Sequence, residues 1–473
     1  MCNLCRRSFM RGAAALGAAA AGGFVSPLSA QTSGGARLPA RGEFTIHGAY
    51  VMTMDPALGD IAGGAVHVRN GEIVAVGTDV AGGGERIDGA DMIVMPGLID
   101  THWHMWNTLY RSFSGDKPEE GYFPTVARFG QQMQPDDVYA STRLSAAEAI
   151  NSGMTFVHSW CHNVRSTRHA EADVRALADT GIRARHSCGW PQGMPDTEQA
   201  PQAPLESLAK DWKSWSNEAL IQLGMAWRGQ FRGGPIKPEI YQAEFDNARK
   251  LGVPVTVHAG SAKKAVGQIE LLHKAKLMGK DVQLIHALSA SEAELDMIKD
   301  TGASVSVSPG TELRIGFGYP QISEMLAKDI PLGISVDTSA LTGSSNLFAV
   351  LKLARDSENA RALSETRMSA RKALELGTIM GARSMGIDDK VGSLKSGKRA
   401  DLIAISTDAL NMGVVTDPAH LVLEATGPEN VDTVVVDGRI LKRGGKLTAL
   451  DPHKVVADAR KALAGVRERT KWR

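Results

Sequence analysis

Two histidines, His102 and His104, stand at the end of the apolar run Ile93–Asp100. In an extended chain residues i and i+2 project from one face, so both imidazoles address a single point. Neutral imidazole nitrogens are good ligands for zinc and for several other divalent ions. Three further polar residues lie at the ends of other apolar runs: His258 after Val253, His286 after Val282, and Asp337 after Pro331. The expected constellation is one divalent metal held by nitrogens of His102, His104 and His258 and by an oxygen of Asp337. Zinc is the first expectation, with cobalt, manganese or iron as alternatives. Such an ion lowers the pKa of bound water to about 7. Asp337 can accept that water's proton and pass it to a leaving group, and His286 can orient the water or polarise a substrate carbonyl. The expected chemistry is hydrolysis, with Asp337 and His286 as the catalytic residues.

These side chains meet only if the fold gathers strand ends. From residue 93 onward, apolar runs alternate with amphipathic helical stretches, which is the pattern of parallel βαβ construction. Predicted strands are 93–100, 154–159, 182–188, 221–226, 253–258, 282–287, 303–307 and 331–337, with helical stretches such as 135–152, 170–180, 238–251, 264–278 and 291–301 between them. The pattern predicts an α/β fold, a (β/α)8 TIM barrel over residues 93–385 whose active site lies where the strands end. Residues 36–92 carry short strand patterns and the Asn70-Gly71 turn, and strand patterns return over 390–450 around the Asp437-Gly438 turn. A β unit formed by both chain ends, 36–92 and 390–450, beside the barrel is the simplest arrangement, with a C-terminal helix over 451–473.

The 473-residue chain has 53 basic and 52 acidic residues and is 43% hydrophobic. That balance supplies a sizeable core and no basic field for nucleic acid or anionic lipid, so a small-molecule substrate is expected, without nucleic acid and without stable membrane anchoring. Arg6-Arg7-Ser8-Phe9-Met10, an Ala/Gly-rich stretch and Ser29-Ala30-Gln31 together resemble a twin-arginine export leader over residues 1–30. The expected location is periplasmic or secreted, with the twin-arginine machinery as a partner; a homo-oligomer is compatible with the sequence. Cys2 and Cys5 fall in the leader, which leaves Cys161 and Cys188, two residues that do not make a disulfide framework.

Pro96–His104, Val257-His258, Ile285-His286, Ser335-Val336-Asp337 and the closing Gly392–Leu402 run, in this order and spacing, resemble the metal-dependent amidohydrolase superfamily. The similarity extends from about residue 43 to 450, and is nearest to the branch of cytosine deaminases, triazine chlorohydrolases and phenylurea and molinate hydrolases. The resemblance implies a distorted (β/α)8 TIM barrel with a composite β-sandwich formed by both chain ends, and a single divalent metal bound as described. Two positions depart from it. Many deaminases and triazine hydrolases of the branch carry a glutamate three residues after the fifth-strand histidine, whereas Ser261 stands there in this chain. The fourth strand, Ile221–Arg228, has no lysine that could be carboxylated to bridge two metals.

His158, His162, Trp106 and Trp160 are expected to contact substrate, while His186 and Cys188 have a weaker claim to the pocket. Trp103, Trp106, Trp160, Trp190 and Trp227 follow strand ends and, with Phe317 and Tyr319, are expected to surround the mouth, favouring an apolar or aromatic ligand. The expected function is hydrolysis of a non-peptide carbon–nitrogen bond (amide, urea, carbamate or lactam) in such a substrate, by attack of metal-bound hydroxide. The alternative is hydrolytic deamination of an amino-substituted heterocycle, against which Ser261 counts.

Overall fold

The computed structural model describes residues 38–195, 197–229, 236–262 and 265–472; the leader expected over residues 1–30 lies outside them. Eight parallel strands follow one another in chain order around a common centre: β1 (Leu98–Ile99), β2 (Met154–Cys161), β3 (Arg183–Cys188), β4 (Ile221–Trp227), β5 (Val255–Ala259), β6 (Val282–His286), β7 (Ser304–Val307) and β8 (Leu332–Ile334). Every residue of β2, β3 and β6 is buried. Strands covered on both faces read as unbroken runs instead of alternating ones. The connecting helices carry their own stop and start signals. Ser291 and Glu294 form a reciprocal cap at the head of Glu292–Thr301, and Gly302, at φ 72°, ends it in the left-handed conformation.

The barrel closes between the segments that follow β1 and β8. Thr101 N donates to Ile334 O (3.3 Å), Asp337 N to His102 O (2.9 Å) and His104 N to Asp337 O (2.6 Å). The buried Asp100 carboxylate ties the same segments together, accepting from His102 N at 3.1 Å and from Val336 N at 2.7 Å.

Two predicted strands differ from the observed ones. Residues 93–100 form two elements: Met92–Pro96 belongs to the second sheet, and only Leu98–Ile99 enters the barrel. Gly97 is the switch, because a Cβ there would lie 2.1 Å from the Thr155 side chain. The last strand stops at Ile334, and Asp337 follows it with φ 62°, outside extended geometry.

Both chain ends build the second sheet. Its strands run in the order Lys446–Leu447, Arg439–Arg443, Val431–Val436, Leu402–Ser406, Met92–Pro96, Glu43–Met52, Asp60–Arg69 and Glu72–Gly77, with Glu85–Asp88 paired to Glu43–Met52. Hydrogen bonding is continuous across this path, and the sheet encloses its own apolar core, which includes Phe44, Ile46, Val66, Leu402 and Val435. The terminal helix Pro452–Thr470 is capped by Asp451, and Trp472 beyond it stacks on Phe113. No helix among the described residues is long and apolar enough to cross a membrane.

A buried ion cluster joins barrel and sheet. Arg183 of β3 grips Asp401 with two bonds, 2.6 and 2.9 Å, and reaches Asp437 at 3.3 Å. Asp437 also accepts from Arg41, Arg399 and Arg439. Burial works to raise the Asp437 pKa, but Arg183, Arg41 and Arg399 outweigh it and hold the carboxyl below its ordinary 3.8. A group with a lowered folded-state pKa contributes stability above its unfolded value and loses it as pH falls through the folded one. Arg183→Met should therefore cost about 3–5 kcal/mol in urea unfolding at neutral pH, because two carboxylates lose a buried partner. The wild-type advantage should shrink below about pH 4. A variant as stable as wild type at pH 7 would remove the cluster from any role in holding the halves together.

Candidate active site

The carboxyl ends of the strands gather the predicted side chains. His102, His104 and His258 each offer a ring nitrogen, all within 4.8 Å of one another. Asp337 Oδ1 lies 3.4 Å from His102 Nε2 and 3.3 Å from His104 Nε2. His102 and His258 are held neutral, their pKa values pushed well down first by burial and then by neighbouring histidines.

The His104 tautomer follows from its neighbours. Trp106 Nε1, which can only donate, meets His162 Nδ1 at 3.2 Å, so that nitrogen is an acceptor. His104 Nδ1 faces His162 Nδ1 at 3.0 Å and the Trp160 carbonyl at 3.3 Å, both acceptors, and therefore carries the proton. Its Nε2 lone pair is left on the Asp337 side, in the manner of a metal ligand oriented through its other ring nitrogen.

This donor set fits a divalent metal. Neither ring nitrogen of the fully buried His102 has a hydrogen-bond partner among the described residues, a costly state for an imidazole lone pair unless an ion takes it. The three imidazoles and the Asp337 carboxylate match the donors that zinc accepts.

Two residues with no signal in the sequence pattern complete the centre. The short helix Pro309–Arg314 follows β7 and carries both. Thr311 Oγ1 donates to Asp337 Oδ2 at 2.5 Å, while Glu312 Oε1 accepts from His286 Nδ1 at 2.9 Å and from Ser308 N at 2.8 Å. Burial alone would lower the His286 pKa, but the bond and charge of Glu312 raise it. With Nδ1 committed to Glu312, Nε2 is the ring nitrogen left for the cavity that His286 lines. Its φ is 80° and that of Asp337 is 62°; each such non-glycine conformation stores on the order of 1–3 kcal/mol, tolerated because the surroundings over-determine it.

A cavity of about 200 Å³ opens above these residues. His104, His258, His286 and Asp337 line its floor, and Trp160, Trp190, His162, Tyr122, Phe123 and Phe317 form much of the wall. His158 and Trp106 do not line it. His158 lies deeper on the same strand face, its nitrogens 2.9 Å from Thr101 O and 2.8 Å from Ser187 Oγ, and burial pushes its pKa down to about 3. Trp106 is fully buried behind His162. Trp103, lying between the two inward histidines, points the other way and is fully buried, and Trp227 donates from Nε1 to Glu244 at 2.7 Å. Tyr319 is exposed and stands outside the lining. His186 is tied to Asp173 at 2.6 Å, and Cys161 and Cys188 are buried free thiols on neighbouring strands. Burial pushes the Cys188 thiol up to about 12.

The fold and this centre define a class, that of barrel hydrolases with a divalent-metal site at the carboxyl ends of their strands. A family model described as Amidohydrolase family matches residues 93–441, and the chain belongs to that family. It is 28% identical over 451 residues to 5'-deoxyadenosine deaminase of Methanosarcina mazei, covering 89% of this chain and 97% of that one. It is 26% identical over 387 residues to the 5-methylthioadenosine/S-adenosylhomocysteine deaminase of Acetivibrio thermocellus, covering 78% and 85% respectively. An adenosine deaminase from Xanthomonas campestris with bound zinc superposes with a TM-score of 0.78 at 22% identity, over 91% of this chain and 100% of that one. Atrazine chlorohydrolase from Arthrobacter aurescens complexed with zinc gives 0.77 at 22%, over 89% and 100%. At these identities the two structures bear on the fold alone.

His102→Ala should drop bound metal in the purified protein from about one equivalent to a small fraction of it, as measured by elemental analysis. Glu312→Gln should keep the metal and lower turnover about 10–100-fold, because it releases His286 from its charged partner. Metal loss in the Glu312 variant would assign that residue to the ligand shell instead.

Proposed function

We propose that this amidohydrolase is a hydrolytic deaminase, removing an amino group from a carbon of a small, neutral, planar heterocycle. The observation that carries the reading is the convergence of three imidazoles, Asp337 and the His286–Glu312 pair at and just beneath the floor of an aromatic-walled cavity. The relatives that align over 89% and 78% of the chain and bear deaminase names support it.

A divalent metal, zinc in the first instance, would be held by His102, His104, His258 and Asp337 and would supply Lewis-acid activation of water near neutral pH. The chain's own residues move the protons. Asp337, fixed by Thr311 at Oδ2, takes a proton from the attacking water as the oxygen–carbon bond forms. It then delivers that proton to the exocyclic nitrogen, which leaves as ammonia when the carbon–nitrogen bond breaks. His286, with Nδ1–H donated to Glu312, offers Nε2–H in its protonated, imidazolium form to the ring nitrogen or oxygen that gathers charge during attack. The stacked Phe123 and Phe317 and the Trp160–Trp190 pair suit a flat apolar body.

A second reading draws on Ser261. That hydroxyl lines the cavity where many deaminases of this branch carry a glutamate, and a carbonyl needs no ring protonation, so cleavage of an amide or urea is the competing chemistry. A panel of cytosine, adenosine and melamine, assayed for ammonia, and of phenylurea and acetanilide, assayed for aniline, separates them. We expect ammonia from a ring amine, abolished by chelation and reduced at least 1,000-fold in Asp337→Asn, on the order of what acid–base and electrostatic groups contribute. Aniline release with no ring deamination would transfer the assignment to the second reading.

We also propose that the amino-terminal segment directs export through the twin-arginine route. Replacing Arg6 and Arg7 together by lysine should retain the protein in the cytoplasm, as read by cell fractionation. Unchanged periplasmic recovery would refute that route.

A further inference from the structure

Gln268 lines the cavity with a polar group that the chemistry above leaves unused. The loop after β5 turns at Gly260, φ 62°. Gly260 O accepts from Ser289 N at 2.9 Å and Ser289 Oγ at 3.1 Å, and Gly260 N donates to the Gln268 side chain at 3.1 Å. A backbone N–H can only donate, so the Gln268 atom that meets it is the carbonyl oxygen, and the amide NH2 is turned away from the loop. That NH2 makes no hydrogen bond to the described residues, and Gln268 is only partly buried. Ser261 sets a hydroxyl on the same wall.

Among the described lining residues the charged groups are already engaged. The Arg228 guanidinium pairs with Glu244 at 3.2 Å, and among the described lining residues Asp337 is the one carboxylate, placed on the floor with the histidines. Ser261 and Gln268 are thus neutral donors among the described residues of the wall beside His258.

We infer that Gln268 is a specificity-determining residue whose NH2 donates to an acceptor atom of a neutral substrate, a carbonyl oxygen or an unprotonated ring nitrogen. The assignment deepens the hydrolytic reading proposed above and rests on this cavity being the substrate site. A brace for the Gly260 loop is the rival role, and two substitutions divide them. Gln268→Glu keeps an oxygen for Gly260 N and loses the NH2; Gln268→Met loses both.

Titration calorimetry of the metal-loaded full chain with pyrimidin-2-one and with acetophenone, which keep the acceptor atoms of cytosine and acetanilide and carry no carbon–nitrogen bond to an amine leaving group, reads binding without turnover. At least one probe should bind the wild type, and both substitutions should weaken it about tenfold, the value of one hydrogen bond, while metal content stays unchanged. Equal affinity for wild type and Gln268→Glu, weakening confined to Gln268→Met, or no binding of either probe to wild type would each overturn the assignment. A chain that binds a probe and hydrolyses nothing on the panel would refute the proposed function and leave Gln268 in place.

Discussion

Three backbone hydrogen bonds, linking residues 101–104 to residues 334–337, carry more of this molecule than their number suggests. They join the first and last segments of the barrel, and the residues they join include His102, His104 and Asp337. Barrel closure and assembly of the metal-binding set are one structural event. A side chain placed by its own backbone pairing has little freedom to drift, which is how sub-ångström positioning is achieved without a rigid ligand. The Asp100 carboxylate, bonded to both segments, locks the same seam from beneath.

The layer around this seam divides into two kinds of support. Behind the floor, polar contacts fix orientation: Thr311 on Asp337, Glu312 on His286, and the Trp106–His162 contact beside His104. Above it, aromatic rings shape the space and exclude water. The left-handed backbone at His286 and Asp337 belongs to the first kind, since a strained residue persists only where its neighbours leave it no alternative.

Much of this was legible in the residues themselves. A His-x-His pair after an apolar run fixes two imidazoles on one face by the period of an extended chain, and the alternation of runs and helical stretches places the other strand ends beside them. Depth was not legible. His158, Trp160 and His162 share a strand face by spacing, yet one lies a layer below the cavity, because spacing gives the side of a strand and not the height at which a pocket ends. Nor did spacing mark Thr311 and Glu312, whose importance comes from a short helix that leans across two neighbouring strands. The split at Gly97 was hidden for another reason: an apolar run looks the same whether one sheet or two sheets bury it, and only the close approach of Thr155 forces the change.

The ion cluster at Arg183 carries an implication for biosynthesis. The carboxylates that neutralise this guanidinium arrive 218 and 254 residues later in the chain. A ribosome that has finished the eighth barrel strand has therefore produced a body with a cation pointing into an unfilled socket and with Met92–Pro96 lacking its antiparallel neighbour Leu402–Ser406. Full neutralisation of Arg183 and pairing of Met92–Pro96 therefore wait for the last quarter of the polypeptide to emerge.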